Sequence, residues 1–354
     1  MQKTNEMKQF SAIDFFCGGG GMTHGLTQAG INVIAGIDFD IDAKQTYEFN
    51  NPGSRFVYSD IQKLETSFFE KQMGVRPFDD NMIFVGCSPC QFYSIINTDK
   101  NSSLKSKDLL KRFSDFIEYY RPGYVLVENV PGIETNKQSV LPFFLKKLRQ
   151  LGYRFKKEIV NMSEYGVPQS RKRFSLIATR LEGIELRFPE KDKKVKVLKD
   201  VLGTHNGFLK VDAGHIDETP FNHTVAGLTP KTLERIRKTK HNGGSRFDWA
   251  DDPNLQLKCF IGRENSFKDT FGRMSWDKPS PTITTKFFSV SNGRFVHPDE
   301  DRAISLREGA TIQTFPKSYV FKTKSMAATA KLIGNAVPCE FARRLGCYIL
   351  DKSS

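Results

Sequence analysis

The chain has 354 residues, 38% of them hydrophobic, with a formal net charge of +13. That composition supplies a core and excludes global disorder, and no apolar run reaches the length of a membrane span. The opening MQKTNEMKQF lacks the apolar centre of a secretory signal, and six irregularly spaced cysteines fit free thiols in a reducing cytoplasm. A single C-x-x-C, with no two histidines three to five residues apart, argues against zinc. The positive charge favours a polyanionic partner, nucleic acid first.

In chain order, Ser11–Phe16 reads as a strand ending in Cys17-Gly18-Gly19-Gly20-Gly21, and Met22–Ala29 as a helix stopped by Gly30. Strand, glycine loop and helix open a doubly wound sheet, and the glycines let a ligand approach the backbone. No lysine follows to hold a phosphate, which excludes a P-loop. Taken alone, the loop is also compatible with a plain tight turn. Asn32–Ile37 is a second strand, ending in Asp38-Phe39-Asp40, and Arg55–Tyr58 a third, ending near Asp60. An acid at the end of one strand is commonplace as a helix cap. Two in succession after a glycine loop point to an adenosine pocket. There Asp38 accepts from ribose hydroxyls, Phe39 stacks on adenine and Asp60 takes the adenine amine.

Met82–Val85 is a buried strand that turns through Gly86-Cys87-Ser88-Pro89 to Cys90 and Gln91. An isolated cysteine here is most simply a structural thiol, and Cys87-x-x-Cys90 also permits a redox pair. Residues 95–107 are polar and lysine-rich, a loop suited to close over a phosphate backbone. Asp108–Tyr120 carries a helical apolar stripe, and Tyr124–Val127 is a strand leading to Glu128-Asn129-Val130. Val140–Leu151 reads as a helix and Phe155–Asn161 as a strand. Gln169-x-Arg171-x-Arg173 then precedes a strand at Phe174–Ala178, with cations too costly to bury unpaired.

After Arg180 the composition changes to charge runs and Gly-, His- and Asp-rich loops, marking a second domain at 183–300. Pro230–Lys240 reads as a short basic helix and Pro279–Ser289 as edge strand and turn. Arg235, Arg237, Lys238, Lys240, Arg246, Arg263, Arg273 and Lys286 offer a basic face for nucleic acid. Arg302–Phe315 contains a helix ended by Pro316, and Ala327–Ile333 another, closed by Gly334-Asn335-Ala336-Val337-Pro338. A last helix starts at Pro338 and returns to the first domain.

With these residues collected, the chain resembles the DNA cytosine-5 methyltransferases of bacterial and phage restriction-modification systems over nearly its whole length. Five short motifs carry the resemblance, in that family's order. They are Asp14-x-Phe16-x-Gly18-x-Gly20-Gly21, Pro89-Cys90-Gln91, Glu128-Asn129-Val130, Gln169-x-Arg171-x-Arg173 and Gly334-Asn335-Ala336-Val337-Pro338. Tyr93, where the family commonly has Phe, is a small aromatic departure.

The resemblance implies an α/β fold: a doubly wound, Rossmann-like domain that binds S-adenosylmethionine, spanning 1–182 and 325–354. It also implies a smaller, irregular, β-containing target-recognition domain at 183–300 and a connecting hinge at 301–324. It makes Cys90 the nucleophile, Glu128 the partner of the base, Arg173 its orienting cation and Arg171 a helper. Phe16, Gly18, Gly19, Gly20, Gly21, Asp38, Phe39, Asp60, Ile61, Pro89, Asn335 and Ala336 would hold S-adenosylmethionine, released as S-adenosylhomocysteine, with no metal. Gln91, Ser94, Lys100, Lys105, Arg246, Arg273 and Lys286 would contact double-stranded DNA, from which the target base must be flipped. A cytoplasmic monomer is expected, with a restriction endonuclease acting on the same site without direct contact. A tRNA cytosine-5 methyltransferase and a non-catalytic DNA-binding protein of the same fold are the alternatives.

Overall fold

A computed structural model describes residues 9–88, 108–263 and 266–353. Its contacts gather into two compact units: Met1–Asn161, Lys172–Lys191 and Cys339–Ser354 form the first, and Met162–Arg171 and Asp192–Pro338 the second.

The first unit is built on a seven-stranded sheet: β1 (Ser11–Phe15), β2 (Asn32–Asp38), β3 (Arg55–Tyr58), β4 (Met82–Gly86), β5 (Tyr124–Asn129), β6 (Arg154–Asn161) and β7 (Lys172–Thr179). The spatial order is β3-β2-β1-β4-β5-β7-β6. β1 to β5 run parallel, while β7 is antiparallel to both β5 and β6. The reversal of order at β1 puts the carboxyl ends of β1, β2, β4 and β5 along one edge, where such sheets bind ligands.

Alternation along β1 separates the two faces of the sheet. Ile13 and Phe15 join the aromatic core with Phe69, Phe84, Phe113 and Phe116, contributed in part by helix α4 (Leu109–Tyr120). Phe15 makes edge or tilted contacts with all four rings at centroid distances of 5.0–5.6 Å. Asp14 points the other way, to α1 (Gly21–Gln28), which packs against the last helix, α10 (Cys339–Ser353). Three further helices, α2 (Ile41–Asn50), α3 (Phe68–Met73) and α5 (Gly132–Thr135), lie in segments that the sequence leaves without an element. In α2 only Ala43, Thr46 and Tyr47 are buried, too thin a stripe to announce itself by apolar periodicity. Helix α6 (Leu141–Gln150) and the seven strands stand within two residues of their expected bounds.

The second unit holds helices α7 (Pro230–Lys238), α8 (Leu306–Ile312) and α9 (Met326–Asn335) and, among the described residues, β-pairing only as isolated bridges. The expected strand at 279–289 is extended chain and turn, joined through the Gln169–Ser280 bridge. Residues 301–338 also belong to this unit, whereas a hinge at 301–324 and a return to the first domain at 325 are expected from sequence. The reason is packing: α9 lies against α8, and the Gly334 backbone approaches Thr284 so closely that a Cβ would stand 2.4 Å from its carbonyl carbon. The chain crosses back at Cys339.

Gly25 sets the approach of α1 to α10. A Cβ there would stand 2.3 Å from the Cys339 carbonyl oxygen and 2.5 Å from the Ala342 methyl group. Overpacking of this kind costs about 1–3 kcal/mol. Gly25→Ala is therefore expected to lower the thermal midpoint, and an unchanged midpoint in a calorimetric scan would show that the helix pair has room to part.

Candidate active site

The site begins where β1 ends. Phe16 and Gly18 take left-handed φ values of 66° and 50°, and Gly20, at 87°, leads into α1. The Cys17 amide donates to the Ile37 carbonyl at 3.0 Å, and the Gly18 amide donates to Asp38 Oδ2 at 2.8 Å. The glycine loop is thus tied to the end of β2 by backbone and carboxylate together. Asp38 Oδ1 accepts from the Asp40 amide, and Asp40 in turn caps α2 by accepting from Asp42. Phe39, between the two acids, is 58% exposed. Asp60 accepts from the Gln62 amide at 3.0 Å, and Ile61 beside it is buried.

These groups fit the nucleoside end of S-adenosylmethionine. Asp38 keeps acceptor capacity for hydroxyls, and Phe39 offers an open aromatic face. A Cβ on Gly18 would meet nothing within 4 Å, so the backbone there can be approached closely.

Below the loop lies a buried polar chain whose polar contacts the sequence does not reveal. Thr23 Oγ1 donates to Asp14 Oδ2 at 2.7 Å, Tyr47 Oη lies 3.1 Å from Thr23 Oγ1, and Ser54 Oγ lies 2.7 Å from Tyr47 Oη. With the Thr23 proton on Asp14, Tyr47 must donate to Thr23 and Ser54 to Tyr47. Asp14 Oδ1 has no hydrogen-bond partner among the described residues. Burial pushes the Asp14 carboxyl up to about 7, with nearby Asp38 adding to the shift and Thr23 opposing it. Burial also raises Asp38 and, more strongly, the Cys17 thiol beside both acids. The signal for this chain was an acid inside the otherwise apolar run SAIDFF.

The second half of the edge comes from β4 and β5. The Cys87 amide donates to the Phe15 carbonyl at 3.4 Å, extending the β1–β4 pairing. Asn129 Nδ2 donates to Ser88 O at 3.3 Å and to Ser88 Oγ at 3.1 Å. The residue after Glu128 therefore anchors the chain at the point where it leads toward Cys90. Pro89, Cys90, Gln91, Ser94, Lys100 and Lys105 lie outside the described residues.

Glu128 is buried at the end of β5, opposite Ser175 of β7. Arg173, two residues before Ser175, shares its face and is the diagonal neighbour of Glu128. Arg173 Nε stands 3.2 Å from Glu128 Oε1, and its Nη1 donates to the Lys172 carbonyl. Glu128 and Arg173 thus stand side by side at this edge of the sheet.

Arg171 is not at hand as a second catalytic cation. It is buried, and its guanidinium donates to the carbonyls of Ile283, Gly334 and Ala336 at 3.1–3.3 Å. Gln169 Oε1 accepts from the Ile283 amide, Gln169 Nε2 donates to Gln313, and Gln313 donates to the carbonyls of Ile333 and Ala336. Two motifs more than 160 residues apart are thus joined inside the second unit, with the Ala336 carbonyl in that assembly and Asn335 exposed beside it.

Two expected DNA contacts are corrected as well. Arg273 is fully buried, donating to the carbonyls of Thr239, Ile236, His297 and Glu300 and paired with Asp301. Arg246 is buried against Phe247 and Phe260 and donates to three carbonyls, and Arg235 donates to Leu255. A guanidinium that satisfies orphan carbonyls in a strand-poor unit cannot also face a phosphate. Lys286 and Lys240 are exposed.

Among the described residues no group of His, Cys, Asp and Glu could hold a metal, and no helix is long and apolar enough to cross a membrane. The family described as C-5 cytosine-specific DNA methylase matches residues 10–350. The Type II methylase M.HgiDII of Herpetosiphon aurantiacus is 37% identical over 339 residues, covering 94% of this chain and 93% of that protein. The Type II methyltransferase M.DdeI of Desulfomicrobium norvegicum is 29% identical, covering 94% of this chain and 86% of its own. A solved structure from E. coli, described as a candidate DNA modification methyltransferase encoded within a prophage, superposes with a TM-score of 0.75. It shares 20% identity and covers 98% of this chain and 99% of its own, which shows the fold.

The raised Asp14 pKa carries a sign. Its value in the folded chain, about 7, stands above the ordinary 3.8, so the folded state holds this proton more tightly. Stability from this group is full below the unfolded value and falls as pH rises from 3.8 toward 7. The loss amounts to up to about 4 kcal/mol. Asp14→Asn, which mimics the neutral acid, is expected to raise the thermal midpoint strongly at pH 8 and by less than half as much at pH 5. A gap of equal size at both pH values would show that Asp14 is ionised throughout.

Proposed function

The chain belongs to the C-5 cytosine-specific DNA methylases of restriction-modification type, and on that premise we propose how its residues work. It transfers the methyl group of S-adenosylmethionine to C5 of a cytosine flipped out of duplex DNA, through a covalent bond between Cys90 and C6. The observation that carries this reading is the Glu128–Arg173 pair at the strand edge beside the Asn129–Ser88 anchor that leads into Cys90.

C5 of cytosine is a weak nucleophile until the ring's conjugation is broken. The Cys90 thiolate adds to C6, and electron density moves toward C5. Glu128 holds N3 and the exocyclic amine and passes a proton to N3 as charge builds there. Arg173, held at 3.2 Å, fixes the Glu128 carboxyl and faces O2 of the base. After methylation a base, an ordered water, removes the C5 proton, and elimination restores the Cys90 thiolate. S-adenosylmethionine, when bound, supplies a methyl group made electrophilic by its sulfonium. Asp38 holds the ribose, Phe16 and Phe39 flank adenine, Asp60 and Ile61 border it, and the glycine loop takes the methionine portion.

C6 cannot be reached inside a duplex, so the target nucleotide leaves the stack. Gln91, Ser94, Lys100 and Lys105 supply contacts to the DNA around it. Lys286 adds a contact from the second unit. The protein works as a cytoplasmic monomer alongside an endonuclease of the same specificity that it does not touch.

Transfer of labelled methyl groups to duplex DNA and to total tRNA tests this directly. Duplex DNA is the expected acceptor. Cys90→Ser should abolish transfer, and Glu128→Gln should slow it by roughly 10²–10⁴-fold. Cys87→Ala should keep most of the activity. Transfer to tRNA alone, or an undiminished Cys90→Ser protein, would overturn the proposal.

A further inference from the structure

We propose that Ile261, Arg263, Phe267 and Lys268 are base-reading residues for duplex DNA and that Arg246 is their positioning residue. The inference rests on the reading of this chain as a DNA cytosine methyltransferase, and goes further by naming which part of the second unit meets the bases.

Arg246 is the starting point. Its Nε donates to Phe267 O at 3.2 Å, and its Nη2 donates to Arg263 O at 3.2 Å and to Ser266 O at 2.9 Å. The guanidinium carbon lies 4.4 Å from the centre of the Phe247 ring and 4.5 Å from that of Phe260. One buried cation thus gathers the carbonyls of Arg263, Ser266 and Phe267 and ties them to the rings of Phe247 and Phe260. A planar group with five donors suits this task, since it reaches several carbonyls without moving.

The Phe267 ring leans on Phe260 at a centroid distance of 6.1 Å, yet much of the apolar surface here faces water. Ile261 is 71% exposed and Phe267 52% exposed, and Phe267 sits at a left-handed φ of 55°. A large side chain held in an unfavourable backbone region, with half its surface in water, gains little from folding. Arg263 and Lys268 are exposed on the same stretch. Residues 258–268 contain Lys258, Arg263 and Lys268 against Glu264 alone, and the next acid, Asp269, is paired with Arg294 at 3.0 Å.

An anchored apolar pair flanked by cations matches a duplex. Cations on phosphates set register, while aliphatic and aromatic tips contact thymine methyl groups or wedge between base steps. Arg235, Arg273, Arg302 and Arg307 of the same unit are buried on carbonyls and carboxylates and cannot play that part.

The test uses the full chain with substitutions Ile261→Ala, Arg263→Ala, Phe267→Ala, Arg246→Ala and Arg246→Lys, and Lys231→Ala as an exposed control. KM for DNA, the set of sites methylated in a random-sequence duplex library, and affinity for S-adenosylmethionine are measured for each. The three segment variants should raise KM tenfold or more, or methylate sites that the wild type leaves alone, with cofactor affinity within twofold. Arg246→Ala should reproduce their effect, Arg246→Lys should recover part of it, and Arg246→Ala combined with Phe267→Ala should be no worse than the worse single variant. Wild-type KM and site preference in all three segment variants would overturn the inference while leaving the proposed function standing. Loss of self-association with unchanged DNA kinetics would assign the segment to a second copy and overturn it too. A wild-type protein that methylates no duplex would overturn both. Should Arg246→Ala fail to fold, the segment variants alone decide.

Discussion

The antiparallel register of β7 against β5 is the constraint on which the site depends. Glu128 stands opposite Ser175, so Arg173 shares the Glu128 face at a diagonal and closes to 3.2 Å. A slip of one residue would turn every side chain of β7 to the other face of the sheet. The pairing is held by six residue pairs with β5 and eight with β6, and by the apolar side chains of Phe174, Leu176 and Ala178 in the core. Stability of the sheet and geometry of the site are therefore one property. The same edge receives the glycine loop through Asp38 and the approach to Cys90 through Asn129, so a parallel core with one reversed strand gathers groups from four strand ends.

The second unit solves a different problem. It has almost no ladder pairing to satisfy its backbone, and arginines fill the deficit. Arg171, Arg246, Arg273 and Arg307 each donate to several carbonyls. Arg302 instead makes a bidentate pair with Glu308 at 2.7 and 2.9 Å. Burial alone would raise the Glu308 carboxyl, but the adjacent Arg302 holds it down at about 2. His223 completes this centre. Its Nε2 donates to the Leu209 carbonyl at 2.9 Å, its Nδ1 lies 2.8 Å from Ser305 Oγ, and that Oγ accepts from the Glu308 amide. A substantial part of the net charge of +13 is thus internal scaffolding rather than surface field.

This division explains what the sequence could and could not reveal. Strands β1 to β5 were legible because each is a short, mostly apolar run with glycine or an acid at or near its end, and parallel sheets bury both faces. Glu128 and Arg173 each stood out by motif, whereas their contact with one another depends on the register of β7 against β5, which no motif records. Arg246 and Arg273 were misjudged because a cation in a loop looks alike whether it faces a phosphate or a carbonyl. Only the fold shows which carbonyls lack a ladder partner. Asp14, Thr23, Tyr47 and Ser54 escaped for a related reason: their contacts join residues up to 24 apart, which no local period records. The boundary at Cys339 was missed because the close fit of Gly334 on Thr284 is invisible until the chain is folded.

The most direct measurement is covalent trapping on a duplex that carries 5-fluorocytosine at a methylated position. Cys90 adds to C6 and the methyl group reaches C5, but fluorine cannot leave as the C5 proton does, so the sulfur–carbon bond has no path to break. The account predicts an adduct that survives denaturation, with the mass of protein, DNA strand and one methyl group, attached at Cys90 and absent from Cys90→Ser. No adduct from a preparation that methylates ordinary cytosine at the same position would contradict it.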